Sequence, residues 1–232
     1  MRMSHQAEPA HSRGFTLVEL LAVIGIMILL AAFGVPALNS LTNTNRLNLS
    51  VRLVSNLMAV ARSEAINAGV PVQLRVVTDK WQSPPTAADD TSGHFRKISL
   101  WKYDRTTSVY AQFSKWETLP DGVVIEPAAN PSTIYTFPSS DPPGTYFLDP
   151  TLGNFLPAVN TGSAIANFVY LQFNPTGALN FPVAVPSGVY LLMIEGVIPP
   201  GKSTPLRTHG LKNWAQIRVA SLTGRINVVR VE

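Results

Sequence analysis

One carboxylate stands where carboxylates are rare. Glu19 lies at the edge of a run, Leu20 to Leu38, that carries no charge at all. An apolar stretch of about 19 to 20 residues can cross a bilayer as a helix. An ionised carboxylate drawn deep into lipid costs roughly 2.5–3.5 kcal/mol or more. A carboxylate kept at that edge needs a cationic partner, and no nearby residue in the sequence supplies one. A positive group on another copy of a similar chain fits the requirement, which points to a subunit that assembles.

The other residues able to do chemistry are sparse. The histidines are His5, His11, His94 and His209, and there is no cysteine, so zinc-ligand spacing is missing and catalysis finds little support. Asp89-Asp90 could ligate calcium with loop carbonyls, but a solvated acidic loop is the simpler reading. Gly196-Val197-Ile198-Pro199-Pro200-Gly201-Lys202-Ser203 fits the phosphate-loop pattern literally. Such a loop works through backbone N–H groups, and Pro199 and Pro200 have none, so a Pro-Gly connection is the better interpretation. Arg218, Arg225 and Arg230, with Lys212 and Trp214 just before them, are the candidate phosphate-contacting residues for nucleic acid. Strand arginines facing solvent explain them as well. Trp81, Trp101, Trp116 and Trp214 read as core aromatics rather than surface anchors. No cofactor is implied.

The elements that must position these residues follow from periodicity. The chain has 232 residues, 46% hydrophobic and 14% charged, with a formal charge of +4. Residues 1–14 are short and polar, with Arg2 and Arg13. Under the positive-inside rule they stay cytoplasmic, and residues beyond about 40 lie outside. Residues 15–38 form the apolar segment. Residues 39–69 continue the helix: Leu47, Val51, Val54, Met58, Ala61 and Ala65 make one face, while Arg46, Arg52, Asn56, Arg62 and Ser63 fall mainly elsewhere. Gly69 and Pro71 stop it. A helix from Phe15 to about Asn67 is roughly 80 Å long, and Pro36 should kink or loosen it.

Residues 70–232 change toward a period of two. Strands are expected at Val70–Val77, Ile98–Tyr103, Val109–Trp116, Val123–Glu126, Phe168–Phe173, Val189–Ile194, Trp214–Val219 and Arg225–Val231, the last two as a hairpin. Pro120-Asp121-Gly122, Asn174-Pro175-Thr176-Gly177 and Thr223-Gly224 mark turns. Ser83–Gly93 and the proline-rich insert 127–162 read as loops. The fold class is α+β: a long N-terminal helix packed on an antiparallel domain of roughly seven or eight strands.

Gly14-Phe15-Thr16-Leu17-Val18-Glu19-Leu20 resembles the N-terminal motif of the type IV pilin and pseudopilin superfamily. Ala61-Arg62-Ser63-Glu64-Ala65-Ile66 with Gly69-Val70-Pro71-Val72 looks like the helix end and first strand of GspH/FimT-type minor pseudopilins. So do Phe173-Asn174-Pro175-Thr176-Gly177 and Ser221-Leu222-Thr223-Gly224-Arg225-Ile226. The resemblance implies a pilin-like fold with residues 1–14 as a leader, cleavage by a prepilin peptidase between Gly14 and Phe15, and N-methylation of Phe15. It also implies that Glu19 serves assembly by meeting a neighbour's Phe15 ammonium. The expected partners are other pilins or pseudopilins, the peptidase and an inner-membrane assembly platform. The expected function is structural, in a secretion-type pseudopilus anchored in the bacterial inner membrane with the β domain periplasmic. A minor pilin of a pilus or DNA-uptake apparatus, and an anchored domain that never polymerises, are the alternatives. Some FimT-type proteins bind DNA through basic C-terminal residues, but Asn227 stands where a second arginine would complete that motif.

Overall fold

The helix comes first and is continuous: α1 spans Leu17–Ala68. The computed structural model describes residues 16–82, 88–126, 145–146, 155–160, 165–180, 188–199, 206–207 and 213–231. Within these, residues 31–44, 79, 145–146, 155–160, 165, 207 and 230–231 are described by their backbone alone. The chain forms two units, Met1–Thr42 and Asn43–Glu232. Helical assignment runs through Pro36 without a break. In the first unit the apolar side chains from Leu17 to Leu30 are exposed, Leu17 by 78% and Leu30 by 68%. Among the described residues no helix is long and apolar enough to cross a membrane.

In the second unit the expected helical face is the buried one. Leu47, Val51, Val54, Met58, Ala61 and Ala65 are all at most 5% exposed, because residues three and four apart share one side of a helix. Each buried Val, Leu or Met contributes on the order of 1.5–3 kcal/mol. Gly69 then takes φ +64°, the left-handed C-cap conformation that a Cβ disfavours, and ends the helix where the sequence indicates.

Thirteen strand segments follow among the described residues: β1 Val72–Gln82, β2 Lys97–Asp104, β3 Val109–Gln112, β4 Glu117–Thr118, β5 Val123–Ile125, β6 Thr145–Tyr146, β7 Phe155–Asn160, β8 Ile165–Phe173, β9 Leu179–Asn180, β10 Val189–Val197, β11 Leu206–Arg207, β12 Trp214–Val219 and β13 Ile226–Val231. They build two sheets. A seven-stranded sheet has the order β3-β2-β1-β8-β7, with β4 on β2 and β9 on β8. A six-stranded sheet has the order β11-β10-β12-β13, with β5 and β6 on β10. Every pairing is antiparallel except β6 with β10. One core cluster joins the α1 face to Val72, Leu74 and Val76 of β1, Leu171 of β8, Leu191 and Met193 of β10, and Ile217 of β12. A smaller cluster of Val77, Trp81, Ala166 and Phe168, with Trp116 against it, lies apart from this one.

Four expectations need correction, the first being that thirteen strand segments stand among the described residues where seven or eight were expected, because several two-residue strands carry no sequence period. The stretch 127–162 is not wholly loop, since β6 and β7 fall inside it. Pro157 masked that strand in the sequence. It is tolerated because β7 ends the sheet order and its register shifts between Leu156 and Val159, leaving an irregular place for a residue with no N–H to donate. The strand expected at Val109–Trp116 stops at Gln112, where Phe113 N and Ser114 N both donate to Leu100 O, and pairing resumes with β4. The strand expected at Val70–Val77 runs on to Gln82 past a register shift between Val77 and Trp81. Polar Thr78, Asp79 and Lys80 hid that extension.

The Arg62 side chain reaches from the helix to hold two turns at once. Its Nε donates to Gly177 O at 3.2 Å and to Thr223 O at 3.0 Å. Gly224 sits beside this clamp at φ +61°, and a Cβ there would run into Gly177 O and the Arg62 side chain. We expect Gly224→Ala to destabilise the protein by at least about 2 kcal/mol, a fall in Tm of roughly 4–8 °C. Thermal unfolding followed by circular dichroism checks this, and an unchanged Tm would refute the clamp geometry.

Candidate assembly site

Thr16 and Glu19 close on each other at the start of α1. Glu19 Oε2 accepts from Thr16 N and from Thr16 Oγ1, both at 2.9 Å. In return Glu19 N donates to Thr16 Oγ1 at 3.2 Å. Leu20 N donates to Thr16 O at 3.2 Å, the first helical bond. This is a reciprocal capping box, in which Ser or Thr at the N-cap and Glu three residues on satisfy donors that a helix start leaves without partners. The negative carboxylate also lies at the positive end of the helix dipole. The spacing Thr-x-x-Glu is present in the sequence, so this local role of Glu19 is legible there beside its need for a distant cation.

The site remains open on one side. Glu19 and Thr16 are exposed, and both described bonds to the carboxylate fall on Oε2. Oε1 is left with acceptor capacity toward a second donor. Gly14 and Phe15, the expected cleavage and methylation positions, lie outside the described residues.

The three arginines that are candidates for nucleic acid hold different places in the fold. Arg218 is half-buried on β12, and Arg225 is exposed just before β13. The ladder pairs Arg218 with Asn227 and Ala215 with Arg230, so positions 218 and 230 have opposite parity. Arg225 instead lines a groove of about 440 Å³ with Ala59, Arg62, Thr223, Gly224 and Ile226. Arg62 was not singled out as a binding residue from sequence, and its place beside Arg225 required the fold.

Asp89 and Asp90 are occupied within the chain. Asp89 Oδ1 accepts from Trp81 N at 2.7 Å and lies 3.1 Å from His94 Nε2. Asp90 Oδ1 caps a short 3-10 turn, accepting from Ser92 N at 3.0 Å and Ser92 Oγ at 2.6 Å. Among the described residues no three His, Asp or Glu side chains are grouped to hold a metal ion. Trp81, Trp101 and Trp214 are each 5% exposed, as core aromatics should be.

The family described as the prokaryotic N-terminal methylation motif matches residues 9–35, which include Thr16 and Glu19. The motif lies at the start of the long helix that leads into the antiparallel sheets. Among solved structures, the minor pseudopilin EpsH from the type 2 secretion system of Vibrio cholerae superposes at a TM-score of 0.38 with 11% identity, covering 80% of this chain and 97% of that one. No curated protein sequence matches.

The capping box predicts a local effect that is separable from assembly. Thr16→Ala should speed amide hydrogen exchange at Glu19 about fivefold in detergent micelles, since a lost N-cap costs about 1 kcal/mol. Thr16→Ser should leave it near the wild-type rate. Equal exchange in all three proteins would remove the box from the account.

Proposed function

We propose that this protein is a structural subunit of a type II secretion-like pseudopilus, a minor pseudopilin of the GspH/FimT type. A prepilin peptidase cuts between Gly14 and Phe15, and Phe15 is then N-methylated. Residues 15–38 hold the chain in the bacterial inner membrane with the β domain on the periplasmic side. The subunit then passes from the membrane into the filament through contacts with other pilins or pseudopilins and an inner-membrane assembly platform. The observation that carries the proposal is the methylation motif at residues 9–35. The exposed apolar side chains of Leu17–Leu30 support it, since so large an uncovered surface calls for lipid or other helices.

Glu19 serves two partners in this reading. Oε2 holds its own helix start through Thr16, while Oε1 accepts from the Phe15 ammonium of a neighbouring subunit. Away from water each charge satisfies the other, and the bond fixes the axial stagger between chains. Losing one member of such a buried pair typically costs about 3–5 kcal/mol.

A minor pilin of a pilus or a DNA-uptake apparatus is the second reading, favoured by the groove shared by Arg62 and Arg225. Retardation of duplex DNA by the purified protein, lost in Arg225→Ala and weakened by salt, would select it.

Mass spectrometry of the protein from cells with the peptidase should find a chain beginning at N-methylated Phe15. An intact Met1 terminus there would overturn the proposal. Glu19→Gln keeps the capping acceptor and removes the charge, so it should remain in the membrane yet enter filaments at least tenfold less well. Wild-type incorporation by that variant would sink the ion pair while leaving the cap untouched.

A further inference from the structure

Arg75 is a buried cation with no counter-charge among the described residues. It lies in β1 and is 5% exposed. Arginines buried to that degree are normally paired with a carboxylate. Here its Nε donates to Gln73 Oε1 at 2.9 Å. Among the described residues no carboxylate lies within ion-pair distance of it.

The described groups around it are neutral and aromatic. The guanidinium carbon lies 4.2 Å from the Trp101 ring centre, 5.5 Å from that of Tyr110 and 5.7 Å from that of Phe168. Gln73 Nε2 donates to Gln172 Oε1 at 2.8 Å, and Tyr110 Oη donates to the same oxygen at 2.8 Å. The amides therefore satisfy one another, and the phenol of Tyr110 is used as a donor. Burial pulls the Arg75 guanidinium down to about 10, so it stays charged at neutral pH. Burial pushes the Tyr110 and Tyr170 phenols up, so neither supplies a hidden phenolate. Cation–π contact offsets part of the desolvation cost but gives the terminal N–H groups no acceptor.

Strand alternation puts this group opposite the helix. Val72, Leu74 and Val76 of β1 enter the core shared with α1. Gln73 and Arg75 point to the other face, beside Trp101, Tyr110 and Gln172 on neighbouring strands. The face is a built arrangement: an aromatic floor, a locked amide pair and one guanidinium.

We propose that this face of the seven-stranded sheet is a binding site for an acidic peptide segment of a partner protein, with a Glu or Asp carboxylate seated on the Arg75 guanidinium. Charge complementarity selects the occupant. One cation in neutral surroundings is balanced by one monoanion, whereas a phosphate dianion would leave a net charge in a poorly hydrated place. The planar guanidinium fork matches a planar carboxylate in two parallel hydrogen bonds. Flanking peptide would lie on the half-buried rings of Tyr103 and Tyr110, which stack edge to face at 5.4 Å. The site is independent of Glu19, so variants there leave it intact.

The test is calorimetric titration of the full chain in detergent micelles. The probes are a blocked peptide of alternating Glu and Ala, its Gln and Ala counterpart, inorganic phosphate and a duplex oligonucleotide. The Glu peptide should bind, and the Gln peptide should bind at least about tenfold more weakly. Arg75→Met should lose the Glu peptide by a similar factor, and Arg225→Ala, which removes an exposed charge of the same sign, should retain it within about twofold. If near-ultraviolet circular dichroism shows that Arg75→Met does not fold, Arg75→Lys keeps the charge without the fork and should bind severalfold more weakly. Absence of binding to the wild type would overturn the proposal whatever the variants do. So would equal binding of the Gln peptide, equal losses in the Arg75 and Arg225 variants, or displacement of the peptide by phosphate or the oligonucleotide.

Discussion

The burial of one helical stripe governs the arrangement of the second unit. Leu47, Val51, Val54, Met58, Ala61 and Ala65 share a core with residues of both sheets, so the helix is the element common to them. Apolar burial is non-directional and would tolerate some rotation about the helix axis. Polar contacts at the end of the stripe remove that freedom. Arg62 reaches the turns at Gly177 and Thr223, and Glu64 meets Lys102 of the seven-stranded sheet at 3.0 Å. The half-exposed ion pair adds little by itself. The Arg62 bonds matter more, because one N–H ties together two turns that are far apart in the chain.

Much of this was legible in the sequence. The heptad-like spacing from Leu47 to Ala65 predicted the buried face residue by residue, and Gly69 predicted the stop. The hairpin of β12 and β13 followed from alternation and Thr223-Gly224. The shortfalls have physical causes. Pro157 reads as a strand breaker, yet an edge strand with an irregular register leaves its missing donor harmless. Residues 78–80 look too polar for a strand, but they lie between two regular stretches of pairing. The very short segments β4, β6, β9 and β11 carry no periodicity to detect. Their pairing comes from the neighbour, not from local preference.

The candidate sites divide along the same line. Thr16 and Glu19 are three residues apart, so their mutual bonding could be read directly from spacing. Arg75 could not. Its side chain is one polar position in an alternating strand, indistinguishable by pattern from a solvated arginine. Only the fold shows that it packs against Trp101 and Tyr110 and is removed from any described carboxylate. Local chemistry is written in the sequence; isolation of a charge is a property of tertiary structure.

The contact between the two turns has a consequence for how this sequence can drift. A core leucine can exchange with methionine or isoleucine because neighbours repack around similar volumes. At Gly224 the place a methyl would occupy is already taken by the carbonyl of Gly177, and Arg62 closes the remaining space. No repacking of side chains relieves a collision with main chain. Two short peptides far apart in the chain are thus locked to each other by the absence of atoms. They should hold their spelling after the surrounding strands have changed beyond recognition.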